Sequence, residues 1–143
     1  MRDKTILASV LAANLFMILS FTPLVQASHG DNDTVVTASK DNRVVSFEVN
    51  NGINSEPIYG FIITLYHHGH FSEIPKTPDG WSAGRHGWHA VLWSTETHPI
   101  PLGATETNFA IEVSRKGTYT IAWSVTDATL QPLTWGIITI DIS

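Results

Sequence analysis

The sequence predicts an all-β sandwich of about seven strands, and three observations carry that prediction. Apolar and polar residues alternate with a period of two in segment after segment. Turn-forming residues fall between those segments, and no stretch carries an apolar stripe of helical period flanked by caps. In an extended chain successive side chains point to opposite faces, so each alternating run builds one apolar face and one polar face.

Taken in chain order, the first strand is read over Thr34–Ala38. In the second, Val45, Phe47 and Val49 alternate with Ser46, Glu48 and Asn50. The third, from Ile58 to Tyr66, is apolar on both faces, as expected of a strand in the middle of a sheet. His89–Ser94 is the fourth. Phe109, Ile111 and Val113 alternate with Asn108, Ala110 and Glu112 in the fifth. The sixth has the clearest pattern, with Tyr119, Ile121, Trp123 and Val125 set against Thr118, Thr120, Ala122, Ser124 and Thr126. Thr134–Ile142 closes the set. Between these runs stand Asn51-Gly52 with Pro57, the stretch from Pro99 to Gly103, Lys116-Gly117 and Gln131-Pro132, all turn chemistry.

Ahead of the first strand, Arg2 and Lys4 precede an uncharged apolar run from Ile6 to Phe21. Pro23 breaks that run, and Val25-Gln26-Ala27 places small residues where a signal peptidase reads. A basic start, an apolar middle and such an exit describe a secretory signal peptide over residues 1–27. The rival is an uncleaved anchor, because Ile6–Val25 is 20 residues, about the length that spans a bilayer. The mature domain is then residues 28–143, secreted or extracytoplasmic, and it meets the membrane only during export. The chain has 8 basic and 13 acidic residues, and removing the leader leaves 6 and 12, a formal charge of −6. With no basic cluster along the sequence, nucleic acid is not an expected partner. There is no cysteine, so the fold rests on core burial without disulfides.

Lys116-Gly117-Thr118-Tyr119-Thr120-Ile121 resembles the E–F corner of immunoglobulin-like domains. The resemblance implies an antiparallel immunoglobulin-like sandwich in which the tyrosine hydroxyl ties back to the corner backbone. Antibody domains carry a cysteine two residues after that tyrosine, where this chain has Ile121. Fibronectin-like domains of prokaryotic surface proteins look similar. The stretch Gly117 to Val125 also resembles the penultimate strand of exported copper-binding sandwiches of the copper-resistance protein C type. That family continues with Asp-Gly-His, and this chain with Asp127-Ala128-Thr129-Leu130. Gly80-Trp81, Val91-Leu92-Trp93 and Ile100-Pro101-Leu102-Gly103 resemble the YcnI type in the same order.

One region departs from a plain sandwich. Six of the seven histidines lie between residues 67 and 98, and residues 67–88 read as one long loop. His68 and His70 form a His-x-His pair, and His86 and His89 supply two further imidazoles if the loop folds back. Imidazole suits copper or zinc, so these four residues are the candidate metal ligands, with His67 or His29 as additions. Indoles in or beside the same loop, Trp81 and Trp88, either fold the loop against the sandwich edge or, together with Arg85 and His86, form the candidate partner-binding surface. Gly80-Trp81-Ser82-Ala83-Gly84 spells Gly-x-Ser-x-Gly, but a nucleophile elbow needs a strand-to-helix turn that a helix-free chain does not offer. The sequence therefore leads to a non-enzymatic binding or adhesion domain for a protein or glycan, with a copper- or zinc-binding envelope protein as the alternative.

Overall fold

A computed structural model describes residues 32–67 and 69–143. The leader assigned to residues 1–27, together with His29 and His68, lies outside the described residues. Nine strands are present among those described: β1 (Val35–Asp41), β2 (Val44–Asn50), β3 (Gly60–Leu65), β4 (Phe71–Lys76), β5 (Ser82–His86), β6 (Ala90–Ser94), β7 (Thr105–Val113), β8 (Gly117–Thr126) and β9 (Pro132–Ile142). They form two antiparallel sheets, ordered β1-β2-β7-β4 and β5-β6-β3-β8-β9.

The two sheets pack face to face, each through the side that its period-two pattern makes apolar. Val45, Phe47 and Val49 of β2 and Phe109, Ile111 and Val113 of β7 face Phe61, Ile63, Trp93, Ile121 and Trp123 across one core, all buried. Aromatic rings span the gap. Phe47 meets Phe61 edge-on at 5.7 Å, Phe61 stacks on Trp93 at 5.6 Å, and Phe109 contacts Phe61 at 5.0 Å and Trp93 at 5.4 Å. β3, predicted to be central, occupies the middle of the five-stranded sheet, with β6 and β8 on either side.

Seven of the nine strands correspond to the predicted set. The other two, β4 and β5, lie inside the stretch read as a single long loop. The chain leaves β3, pairs β4 with β7 at the edge of the first sheet, then returns to pair β5 with β6 at the edge of the second. Edge strands bury little, and neither segment carries an apolar alternation: β4 buries only Phe71 and contains Pro75, and every residue of β5 is exposed. A bulge in β7, where Asn108 takes a φ of 70°, shifts its register against β2 between Phe47 and Val49.

The strands run between two distinct ends. The chain enters at Asn32–Thr34, and the same end holds the connections 51–59, 77–81, 95–104 and 127–131. Fully buried Asn51 ties that end together. Its amide donates to the Glu56 and Ile100 carbonyls, both at 2.9 Å, and its Oδ1 accepts from Thr34 at 3.3 Å and from Ser55. The opposite, far end holds the turns 42–43, 66–70, 87–89 and 114–116. There the Tyr119 hydroxyl donates to the Arg115 carbonyl at 2.7 Å, the corner tie expected from the Gly117-Thr118-Tyr119 motif.

Tyr119→Phe is expected to lower unfolding free energy by about 1 kcal/mol, the net worth of one such hydrogen bond. Phe109→Ala, which empties the centre of the aromatic cluster, should cost about 3–5 kcal/mol. Urea denaturation of both variants checks the ranking, and a Tyr119→Phe midpoint equal to wild type would show that the tie contributes nothing.

Candidate functional site

At the end of β3 the chain must cross from one sheet to the other within a few residues. His67 takes a φ of 54°, and the Gly69 amide donates to the Tyr66 carbonyl at 3.2 Å. A Cβ on Gly69 would stand 3.0 Å from the Leu65 Cβ and 3.1 Å from the Tyr119 ring, so glycine lets the backbone lie flat against the corner. The neighbouring β5–β6 turn begins with Gly87 at a φ of 61° and is held on both sides by backbone hydrogen bonds. Phe71 donates to the Trp88 carbonyl at 3.1 Å, and Leu65 donates to the His89 carbonyl at 2.7 Å. The turn is therefore clamped between β3 and the start of β4.

This clamp sets the position of three side chains. Arg85 pairs in register with buried Val91, so its side chain lies on the core-facing side of the β5 edge. Its guanidinium sits 5.0 Å from the Phe71 ring centre and 4.8 Å from that of Trp88, and it donates to the Ser72 carbonyl at 3.0 Å. Arg85 thus bridges the edge strands of the two sheets. Trp88, despite this contact, remains 57% exposed at the tip of the turn.

Of the three candidate metal ligands among the described residues, the structure brings two together. The rings of His70 and His89 meet edge-on with centres 4.8 Å apart. His89 Nδ1 lies 2.9 Å from the Gly69 carbonyl; as the donor in that bond it leaves Nε2 with a free lone pair. Ser114 anchors the other partner, donating to the His70 carbonyl from its amide at 2.9 Å and its hydroxyl at 3.1 Å. His86 does not join them. It alternates with Arg85 and so projects from the outer face of the five-stranded sheet, opposite Ala90. His67 packs edge-on to Tyr66 at 6.2 Å. Among the described residues no three His, Cys, Asp or Glu side chains are grouped to hold a metal ion. Among the described candidates only His70 and His89 are therefore neighbours, because β5 is a strand and not a loop free to fold back.

Trp81 takes the packing alternative and leaves the candidate partner surface. It is 8% exposed, its indole N–H donates to the His98 carbonyl at 3.0 Å, and its ring meets Phe109 edge-on at 5.3 Å. It closes the core at the N-terminal end, whereas Arg85 and Trp88 stand at the far end, so the three do not form one surface. The Gly80–Gly84 segment leads from a turn into strand β5, not into a helix, and Gly80 at a φ of 80° abuts the His98 ring. Sequence reasoning missed Phe71 and Ser72 as the supports of Arg85, since both were assigned to a loop. It also missed a shallow trough of about 300 Å³ on the outer face of β3, β8 and β9, lined by Ile62, Thr64, Tyr66, Ala122, Ser124 and Trp135. The signal for that trough was present: Trp135 and Ile137 alternate with Thr134, Gly136 and Ile138, which makes β9 apolar on both faces. No protein-family model matches this chain, and a search of curated proteins returns no match.

Arg85→Ala is expected to release Trp88 from its cation–π contact at a cost of about 0.5–1 kcal/mol. In 5-fluorotryptophan-labelled protein the Trp88 resonance should sharpen and move toward the solvent-exposed position, while those of Trp93 and Trp123 stay in place. Arg85→Lys should restore little of it, because an ammonium lacks the planar face that stacks between two rings. An unmoved Trp88 resonance would show that the stack does not order the turn.

Proposed function

We propose that this chain is an extracytoplasmic, non-enzymatic binding domain of immunoglobulin-like architecture that recognises its partner through the Arg85–Trp88 end. The observation that carries the reading is Trp88, a large ring held 57% in solvent on a turn clamped by its neighbours. Tryptophan and arginine are the residue types that most often dominate binding energy at interfaces, and a rigid turn loses little conformational freedom on binding. The signal-peptide pattern of residues 1–27 supports the compartment. The Tyr119–Arg115 tie and the two-sheet order support the immunoglobulin-like class.

The test is saturable binding of the labelled protein to cell-envelope preparations of the producing organism. Trp88→Ala and Arg85→Ala should each weaken binding by about 30-fold, the effect of losing a hot spot of about 2 kcal/mol, with circular dichroism unchanged. Undiminished binding by the folded double variant would overturn the assignment of this surface.

A second reading, a copper- or zinc-binding envelope protein, is favoured by the His70–His89 pair and by the carbonyl that orients His89. His68 lies beside them in sequence as a third imidazole. Titration calorimetry with copper(II) and with zinc at pH 7 should then give one-to-one binding that a His70→Ala/His89→Ala variant loses. That binding should fade below about pH 5.5, because an imidazole must be neutral to ligate. Equal heats from wild type and variant would remove the pair as a metal site.

A further inference from the structure

The chain is acidic overall, yet its charges are sorted by position. Six carboxylates, Asp33, Glu56, Asp79, Glu96, Glu106 and Asp127, lie on the connections and strand ends at the N-terminal end, with no Lys or Arg among the described residues there. Hydrogen bonds from Gln131 and Thr129 hold the Asp127 carboxyl below the usual aspartate range, so that carboxylate stays ionised. The far end holds Lys40, Arg43, Arg85, Arg115 and Lys116. Only Lys76, on the flank of β4, lies elsewhere among the described basic residues.

Four carboxylates share the far end, and two of them, Asp41 and Glu112, line one concavity with Arg43 and Lys116. Asp41 and Asp141 lie with Lys40 on the β1–β9 flank, where Lys40 donates to the Asp141 carbonyl. Glu112 is paired with Arg43 at 3.4 Å, and Glu73 stands opposite Glu112 on β4. The cationic and imidazole groups, by contrast, are linked along one rim. His89 touches His70, Ser114 donates to the His70 carbonyl, and Arg43 donates to the Ser114 carbonyl at 3.0 Å; Arg115 and Lys116 follow directly, both exposed.

We propose that this far-end rim binds an acidic polysaccharide, with Arg85, Arg115 and Lys116 meeting carboxylate or sulfate groups and Trp88 stacking on a sugar ring. The inference rests on the reading of the Arg85–Trp88 end as the recognition surface. Such a polymer offers both features the rim is built for: anionic groups for guanidinium and ammonium donors, and apolar C–H ring faces for an exposed indole. A lipid surface fits less well, because the exposed aliphatic loop residues Ile53, Leu102 and Leu130 all lie at the opposite, acidic end. A nucleic acid would need a denser row of cations than a rim whose Arg43 is already paired.

The two ends are far enough apart to act independently. Ten residues of β8 span about 34 Å, several times the screening length of about 8 Å at physiological salt. A partner at the rim therefore responds to the local charge and not to the net charge of the chain.

The experiment uses the full chain, expressed with its own N-terminal segment, and measures binding to a polyuronate, to neutral dextran and to anionic phospholipid vesicles at 50 and 150 mM salt. Polyuronate is expected to bind, dextran and vesicles not, with affinity falling as salt rises. Arg115→Glu/Lys116→Glu should weaken polyuronate binding at least tenfold, and Trp88→Ala should do so with the salt dependence preserved. Asp79→Lys/Glu96→Lys, an equal and opposite charge change at the other end, should alter it less than threefold. Equal responses to the two charge pairs, or tighter binding to vesicles than to polyuronate, would overturn the proposal. Envelope binding that depends on Trp88 with no affinity for polyuronate would overturn the polysaccharide assignment alone and leave the recognition surface standing.

Discussion

Everything else in this fold depends on a cluster of aromatic rings that joins two sheets with no disulfide between them. The chain has no cysteine, so the contact between sheets is purely non-covalent. Phe47 and Phe109 project from one sheet, Phe61 and Trp93 from the other, and all four are buried within 5.0–6.4 Å of one another wherever a contact is made. Offset and edge-on ring pairs contribute about 0.5–1.5 kcal/mol each beyond their area burial. Several such pairs together match the few kcal/mol that a native disulfide supplies in a small secreted domain. Trp81 extends the cluster to the N-terminal end, where it covers Phe109, and this explains why an indole in a Pro- and Gly-containing stretch is not available to a partner.

A sandwich stabilised in this way must still protect its edges, and that requirement shapes the far end. β4 carries Pro75 and Lys76, and β5 directs Arg85 toward the core side, each a way of discouraging further strand addition. A charge so placed needs partners, and Phe71, the Ser72 carbonyl and Trp88 supply them. Edge protection accounts for Arg85 and Phe71 but not for the exposure of Trp88. A structural residue covering Arg85 would itself gain by burial, yet more than half of this ring stands in solvent. That residual exposure is the observation on which the proposed recognition surface rests.

The parts of this structure legible in the sequence are those that bury a stripe. β2, β7 and β8 alternate because each presents one face to the aromatic core, β3 is apolar throughout as a central strand, and Tyr119 was legible because glycine two residues earlier marks the corner it closes. β4 and β5 were not legible, since an edge strand whose side chains face water has no reason to alternate. The histidine spacing pointed to chelation by His68, His70, His86 and His89, but spacing cannot reveal which sheet each residue joins. The chain passes from one sheet to the other between His70 and His86, so among the described candidates His70 and His89, brought together where two turns meet, become neighbours and His86 does not. The sequence left Trp81 between packing and partner binding for a related reason: its burial is set by Phe109, a residue distant in sequence and close only after folding.

Charge was the property most obscured by reading the chain as a line. A net of −5 describes the whole sequence, and it argues against anionic partners only if the charges are evenly mixed. Antiparallel strands do not mix them. Every connection in an up-and-down pairing falls at one end or the other, so residues alternate between two poles as the chain advances. Here the connections at the pole where the chain enters carry acidic residues, and the turns at the other carry Arg43, Arg115 and Lys116. The buried Asn51 hub and the aliphatic loop residues belong to the first pole, while the clamped tryptophan and the imidazole pair belong to the second. Because screening confines each pole to its own surroundings, the domain presents two chemically different surfaces on one rigid body. The sorting of charge is therefore invisible to composition and appears only once strand order assigns each turn to its end.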